Sequence, residues 1–264
     1  MHTKTMIPKD NRITFITVNY NSKKDLLRSL SDLSKIDNAD KIDVIIVNND
    51  TSKLELPTFS FANQIVCEIN SNIGFGAANN IALDKIQTEY VCFLNPDTYS
   101  FPKNLLKIIE HIKHDKMIVA PQICTPKNNP EPWSVGSKIN LCSIIKNNLG
   151  LYKKYWNLTT PTEVAWVSGA SLFAKTHFIK QLGGFDEDFF LYFEDVDLCQ
   201  RAKNRGGSIM YLPDFQIKHS SGSSSNTKHL QKRHYYDSQY IFFKKHVGVM
   251  QAEIIRLFHF FIKR

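Results

Sequence analysis

The chain has 264 residues, 42% hydrophobic and 22% charged. That composition gives one large α/β domain, or one domain with an appendage, and excludes a disordered or low-complexity polypeptide. Residues 1–12 are polar without an apolar core, and no run of about 18 apolar residues occurs, so neither a secretory signal nor a membrane-spanning helix is expected. The five cysteines are scattered with no CxxC pair, which argues against a zinc knuckle or redox pair and for reduced thiols in a cytoplasmic protein. The net charge of +8 is concentrated late: residues 216–264 hold nine Lys and Arg against two acidic residues. Such a tail suits anionic lipid headgroups, a diphosphate-bearing substrate or nucleic acid, and equally a solvated surface.

In chain order, 12–19 is a β-rich run that reads as a buried first strand. Ser22 is placed to cap a helix carrying Leu26, Leu27, Leu30 and Leu33. Residues 42–47 and 64–69 read as two further strands, 71–80 as a Gly- and Asn-rich turn entering a helix, and 90–94 as a fourth strand. A helix over 103–114 and a strand over 117–120 follow. From 126 to 162 the pattern weakens into a long insertion with Trp133, Tyr152, Tyr155 and Trp156 and a short helix near 141–149; long loops over a cleft are often lids or acceptor sites. Residues 164–174 are strand-like, 194–205 a helix stopped by Gly206-Gly207, and 208–212 and 215–218 short strands. Two helices, about 228–246 and 249–263, complete the chain. The alternation implies a mainly parallel sheet with helices on both faces. Polar clusters at 19–21, 48–50 and 95–97 fall at strand ends, where such sheets bind ligands.

Three groups carry candidate chemistry. Asp97 follows a buried strand and a proline, and as an oxygen donor suits Mg²⁺ or Mn²⁺; alone it is also an ordinary Asx turn. Glu194, Asp195 and Asp197 crowd the start of a helix, where carboxylates are favoured by the dipole, yet capping does not need three. His219 ends a strand before the Ser220–Ser225 loop, and a neutral imidazole there can ligate a metal.

These segments, ITFITVNYNS (13–22), VIIVNND (44–50), NSNIGFGAANN (70–80), FLNPDT (93–98), WVSGASLF (166–173) and GGFDEDFFLYFEDVDLCQR (183–201), together resemble family 2 glycosyltransferases, particularly bacterial rhamnosyltransferase-like members that build O-antigen and other surface polysaccharides. The resemblance covers about 12–246. It implies a GT-A fold over 1–227, with 228–264 as a basic helical tail packed on the domain or on a membrane surface. It implies that Asn19, Tyr20, Asn21, Asn48, Asp50, Gly74, Asn79 and Asn95 surround a nucleotide-sugar donor. Asn48 stands where many relatives have an aspartate, and Asn95-Pro96-Asp97 matches the metal-binding DxD-type motif with Asn in first place. Asp97 and His219 are then the metal ligands, Asp195 the catalytic base, and Trp166, Glu194 and Asp197 the acceptor-binding residues.

The implied reaction is metal-dependent, inverting transfer of a sugar, dTDP-rhamnose being the first choice of donor and a UDP-hexose the other. The acceptor is a glycan or lipid-linked glycan, and the expected location is cytoplasmic, with peripheral attachment to the inner face of the cell membrane left open. Within Ile254–Arg264, Arg256, His259 and Lys263 make one polar stripe on an otherwise apolar helix; this fits an anionic membrane interface and equally a contact with the domain or with a second copy in a homo-oligomer. A nicotinamide oxidoreductase should show GxGxxG after the first strand, and Asn19 to Lys24 lacks it. No nucleic-acid partner is expected, since no such module is visible. The rival from another class is a non-catalytic GT-A domain acting as a glycan-binding or scaffold subunit, which Asn48 and Asn95 favour and Asp97, Asp195 and His219 oppose.

Overall fold

The computed structural model describes residues 12–148, 150–151, 153–220 and 228–262. Most of the Ser220–Ser225 loop, Tyr152 and Lys263 lie outside them. Along the chain run β1 (Ile13–Asn19), α1 (Lys23–Leu33), β2 (Ile42–Asn48), β3 (Asn63–Glu68), α2 (Phe75–Leu83), β4 (Tyr90–Leu94), β5 (Thr98–Tyr99), β6 (Met117–Cys124), β7 (Val135–Gly136), α3 (Leu141–Asn148), β8 (Thr162–Glu163), β9 (Trp166–Val167), β10 (Ser171–Lys175), α4 (Thr176–Leu182), α5 (Glu194–Asn204), β11 (Ser208–His219), α6 (Lys228–His246) and α7 (Val249–Ile262).

The main sheet is ordered β3-β2-β1-β4-β10-β6-β11-β5. The β3-β2-β1-β4 half is parallel, β10 runs antiparallel to β4 and β6, and β6 and β11 are parallel. The central strands β1, β2, β4, β6 and β10 are buried on both faces and so read as continuous apolar runs, whereas the edge strand β3 is exposed or half-buried throughout. Alternate residues feed two cores: Phe15, Val44, Cys92 and Phe173 pack with α1 and the 3-10 helix Leu105–His111, while Ile16, Ile45, Phe93 and Leu172 pack with α2, α4 and α5. The expected mixed, mainly parallel sheet with helices on both faces is what the chain forms.

Several local expectations need correction. The helix expected over 103–114 is a shorter 3-10 segment. The strand-like run 164–174 is split, because Ser168 and Gly169 leave the ladder to meet other elements. Residues 208–219 form a single strand with an irregularity between Leu212 and Gln216, where Pro213 cannot donate to the ladder. Ser22 precedes α1 without capping it, since its hydroxyl donates to Asn19 Oδ1 at 3.2 Å.

A third core joins Phe189, Phe193 and Val196 to Phe242, Phe243, Ala252 and Ile255, and so fastens α6 and α7 to the start of α5. The Ser238 hydroxyl donates to Leu191 O at 2.8 Å, and Lys245 forms ion pairs with Asp186 and Asp188 at 2.5 and 2.7 Å.

Candidate functional site

Two strand pairings build the site. Antiparallel pairing of β5 with the end of β11 sets His219 opposite Thr98, which brings the imidazole beside Asp97. Asp97 Oδ1 and His219 Nε2 are 2.9 Å apart, and Ser220 N–H donates to Asp97 O at 3.0 Å. On the far side of the ring, His219 Nδ1 lies 2.9 Å from a carboxylate oxygen of Glu131. Asn95 Nδ2 is 3.3 Å from His219 Nε2, which places the first residue of the Asn-Pro-Asp turn at the same cluster. Burial alone would lower the His219 pKa, but the carboxylates of Asp97 and Glu131 outweigh it and push it up to about 10.

The second pairing carries the site to α5. Asn95 N–H donates to Ala170 O at 3.0 Å, and the adjacent Gly169 N–H donates to Asp195 Oδ2 at 2.8 Å. Asp195 Oδ1 accepts from Val196 N–H at 2.8 Å. Tyr192 and Phe193 both have left-handed backbone, φ 69° and 66°, immediately before Glu194. Bulky residues hold that conformation only where their surroundings fix it, and here the aromatic core around Phe193 and Phe242 does so. The strained turn starts α5 with Glu194 and Asp195 at its amino end.

Burial raises the Asp195 carboxyl above its ordinary range, against the pull of its backbone donors. Burial, and then the charge of Asp195, push Glu194 well above the usual carboxylate range. Glu194 is 6% exposed, and its Oε2 has no hydrogen-bond partner. Asp197 is different. It is fully buried, with Oδ2 on Arg201 Nε and Oδ1 on His246 Nε2, each at 2.6 Å. It ties α5 to α6 and has no face left for an acceptor, contrary to the role expected for it.

The residues expected around a donor divide in two. Tyr20, Asn21 and Asp50 lie at the rim, where Asp50 Oδ2 accepts from Asn21 N–H at 3.2 Å. Asn19, Asn48 and Asn79 are buried struts. Asn48 accepts from Asn19 Nδ2 at 2.7 Å and donates to Ser52 O at 2.7 Å and to Glu68 Oε2 at 2.5 Å, with no exposed surface. Asn79 lies inside α2 and bonds back to Phe75 O. The amides of Asn19 and Asn48 are thus engaged inside the fold, while the Oδ1 of Asn79 is buried without a hydrogen-bond partner. Gly74 is needed where it stands, because its φ is 94° and a Cβ there would lie 2.8 Å from Phe190 O. Trp166, expected in the acceptor pocket, donates from Nε1 to Ser137 O at 3.0 Å and lies flat on Gly136, so much of it is spent holding β7 to β9.

Sequence reasoning missed Glu131, His246 and Asn49. Asn49 pins the 72–74 turn through Asn72 Oδ1, Ile73 N–H and Gly74 O. Its position inside Asn48-Asn49-Asp50 was a signal. Glu131 and His246 stand in stretches without one.

The residues present fit a divalent cation. Asp97 and His219 offer an oxygen and a nitrogen side by side, and the carboxylate behind the imidazole is the usual second partner of a metal-bound histidine. Among the described residues no group of three or more His, Cys, Asp or Glu side chains could hold a metal ion, so Asp97 and His219 are at most a two-donor site. Mg²⁺-type sites are commonly completed by substrate phosphates, so a two-donor site suits a diphosphate-bearing ligand.

Residues 14–180 match the sequence profile described as glycosyl transferase family 2. The chain belongs to that family. This family 2 chain is 29% identical over 161 residues to the rhamnosyltransferase WbbL of Escherichia coli K12, covering 55% of this chain and 60% of that protein. It is 36% identical over 95 residues to an N-acetylglucosaminyl-diphospho-decaprenol L-rhamnosyltransferase of Mycobacterium tuberculosis, covering 34% and 30% respectively. It thus spans between 30% and 60% of the length of those relatives. GalNAc-T7, solved with UDP, GalNAc and Mn²⁺, superposes with a TM-score of 0.63 at 14% identity over 89% of this chain and 48% of that one. A mannosyltransferase of Pyrobaculum calidifontis with GDP-Man and Mn²⁺ gives 0.60 at 17% identity over 92% and 68%. The family 2 chain therefore has the GT-A fold.

Proposed function

We propose that the protein is a metal-dependent inverting glycosyltransferase that moves a sugar from a nucleotide donor to a glycan or lipid-linked glycan in bacterial surface-polysaccharide synthesis. The observation that carries this reading is the joining of the Asp97–His219 pair to Asp195 through the Asn95–Ala170 and Gly169–Asp195 bonds. The rhamnosyltransferase relatives support dTDP-rhamnose as first choice of donor, with a UDP-hexose as the other.

Asp195 accepts the proton of the acceptor hydroxyl as it attacks the anomeric carbon from the face opposite the leaving diphosphate, so configuration inverts. Gly169 N–H and Val196 N–H aim the carboxylate, and burial makes it a stronger base than a free aspartate. Asp97 and His219 would hold Mg²⁺ or Mn²⁺, with Glu131 fixing the imidazole. When bound, that ion supplies charge stabilisation for the diphosphate. Glu194 offers its unpaired oxygen to a second acceptor hydroxyl.

The tail fits a lipid-linked acceptor. On α7, Ala252 and Ile255 are buried, while Val249, Met250, Leu257 and Phe258 are exposed beside Arg256. Of the apolar residues expected on the 254–264 stretch, Ile255 is thus packed on the domain while Leu257 and Phe258 are exposed; His259 and the residues after it have side chains outside the description. No helix among the described residues is long and apolar enough to cross a membrane. Co-sedimentation with phosphatidylglycerol vesicles, reduced by Leu257→Glu with Phe258→Glu, is expected of a membrane-facing α7; unchanged pelleting would instead make that face a contact between copies.

The central test is thermal stability with nucleoside diphosphates and nucleotide sugars, with and without Mn²⁺ or Mg²⁺. A ligand at about 100 times its Kd stabilises by about 2.7 kcal/mol. A metal-dependent shift that Asp97→Ala removes supports the transferase. Asp195→Asn should keep the shift while turnover falls about 10²- to 10⁴-fold. No shift with any donor would favour the scaffold subunit.

A further inference from the structure

We infer that Trp133 is the platform on which the acceptor sugar stacks, a role that rests on the glycosyl-transfer reading above. The segment Glu131–Ser134 is fastened at both ends to the reacting groups. Glu131 is bonded to His219, and its own N–H donates to Ile123 O at 2.8 Å. Three residues on, Ser134 O accepts from Ser168 N–H at 2.8 Å, and Gly169, the next residue, holds Asp195. The Ser134 hydroxyl closes the turn on Glu131 O at 2.8 Å. The segment therefore bridges the metal-binding end of the cleft and the base.

At the middle of that bridge stands a tryptophan that is 49% exposed. Its backbone is left-handed, φ 63°, a conformation that a bulky residue keeps only where neighbours impose it. The strain does not serve to bury the ring. One edge leans on Trp156, whose ring centre is 4.9 Å away at 55° and which is itself 5% exposed, while about half of Trp133 faces solvent. Trp156 is in turn fixed through its carbonyl by Gln122 Nε2 and the Tyr211 hydroxyl, each at 3.2 Å. A rigidly backed aromatic face, on the segment that links His219 to the Gly169–Asp195 contact, is suited to the apolar face of a pyranose, which presents C–H groups on one side and hydroxyls around its edge. Trp166, expected to shape the acceptor pocket, is engaged with Gly136 and Ser137.

The experiment uses the full chain, the donor identified by thermal shift, and octyl glycosides of glucose, galactose, N-acetylglucosamine and rhamnose as acceptor probes. Trp133→Ala should raise the KM for the accepted glycoside about tenfold or more, with kcat largely kept. Donor cleavage without acceptor and the metal-dependent nucleotide shift should stay at wild-type level. Trp133→Phe should keep an intermediate KM while losing the acceptor-induced quench of tryptophan fluorescence. An unchanged KM in Trp133→Ala overturns the inference. So does loss of the nucleotide shift alongside the KM change, which would make the residue a structural prop, or a wild-type protein that cleaves donor but neither uses nor is quenched by any of the four glycosides. Absence of donor binding and cleavage in the wild type instead overturns the transferase reading itself.

Discussion

Replacing Glu194 by Gln should make this protein more stable and less active. Glu194 is 6% exposed, its Oε2 has no partner, and Asp195 and Asp197 are both close enough to oppose its charge. In the unfolded chain it titrates at about 4.3, so above that pH folding must either bury a charge or take up a proton. A carboxyl whose folded pKa is raised binds more protons in the native state than in the unfolded one. Its contribution therefore weakens the fold as pH rises from about 4.3 through the raised folded value, and the penalty is full above both. Leaving a buried polar group unsatisfied costs about 1–3 kcal/mol, and more if it is charged. Gln keeps the shape and removes the charge. For a domain of this size about 1 kcal/mol moves Tm by roughly 2–4 °C, so Glu194→Gln should unfold at least about 2 °C higher at pH 8. The gain should shrink towards pH 4, where the wild-type group is already neutral. Differential scanning calorimetry from pH 4 to 8 measures this directly. A Tm below wild type across that range would refute the reasoning, because it would mean the carboxylate has a stabilising partner in the folded state. The accompanying loss of transfer, read as a higher acceptor KM, is the expected cost of relieving strain at a working site.

Glu131→Gln should weaken Mn²⁺ binding about 10- to 100-fold, as removal of a carboxylate behind a metal-bound histidine commonly does; titration of Mn²⁺ followed by electron paramagnetic resonance, in the presence of a nucleoside diphosphate, reads it without any turnover. Asp197→Ala should destabilise by about 3–5 kcal/mol, because it strips Arg201 of its carboxylate in the interior and cuts the His246 link from α5 to α6. Urea unfolding checks the value, and a loss under about 1 kcal/mol would return Asp197 to the list of residues free to meet an acceptor.

The parallel half of the sheet was legible because each strand is a continuous run of Val, Ile and Phe ending in polar residues, and that signal needs no long-range knowledge. The Asp97–His219 pair was named from motif resemblance, and what could not be read was the device that joins them. β5 is two residues long, Thr98 and Tyr99, with no periodicity to detect, yet its pairing with β11 sets Asp97 and His219 together. Glu131 escaped because it lies in an insertion without pattern, and its meaning comes from a histidine 88 residues away. His246 escaped for the same reason: its partner Asp197 belongs to an acidic cluster whose members look alike in sequence. Burial and pairing together tell them apart, with Asp195 partly open, Glu194 closed with one oxygen unpaired, and Asp197 closed and doubly paired.

The two asparagines that kept a non-catalytic reading alive have local physical reasons. Asn48 faces Glu68 across the β2–β3 ladder, and its amide N–H donates to that carboxylate. An aspartate there would set two carboxylates in contact at a position with no exposed surface, where like charges cannot both stay ionised. Glu68 also accepts from Leu54 N–H, so it is committed to the 52–54 turn and cannot simply withdraw. Asn at 48 is what this particular neighbour requires, and it says little about whether a donor is cleaved. Asn95 stands 3.3 Å from His219 Nε2 in a cluster that already holds Asp97 and Glu131. A third carboxylate would add repulsion around one imidazole. With Glu131 on the distal nitrogen, the acidic charge missing from the first position of the Asn-Pro-Asp turn is supplied from the other side of the ring. The departures thus follow from where the chain keeps its remaining carboxylates, and they leave the Asp97–His219 pair and the backbone-held Asp195 intact.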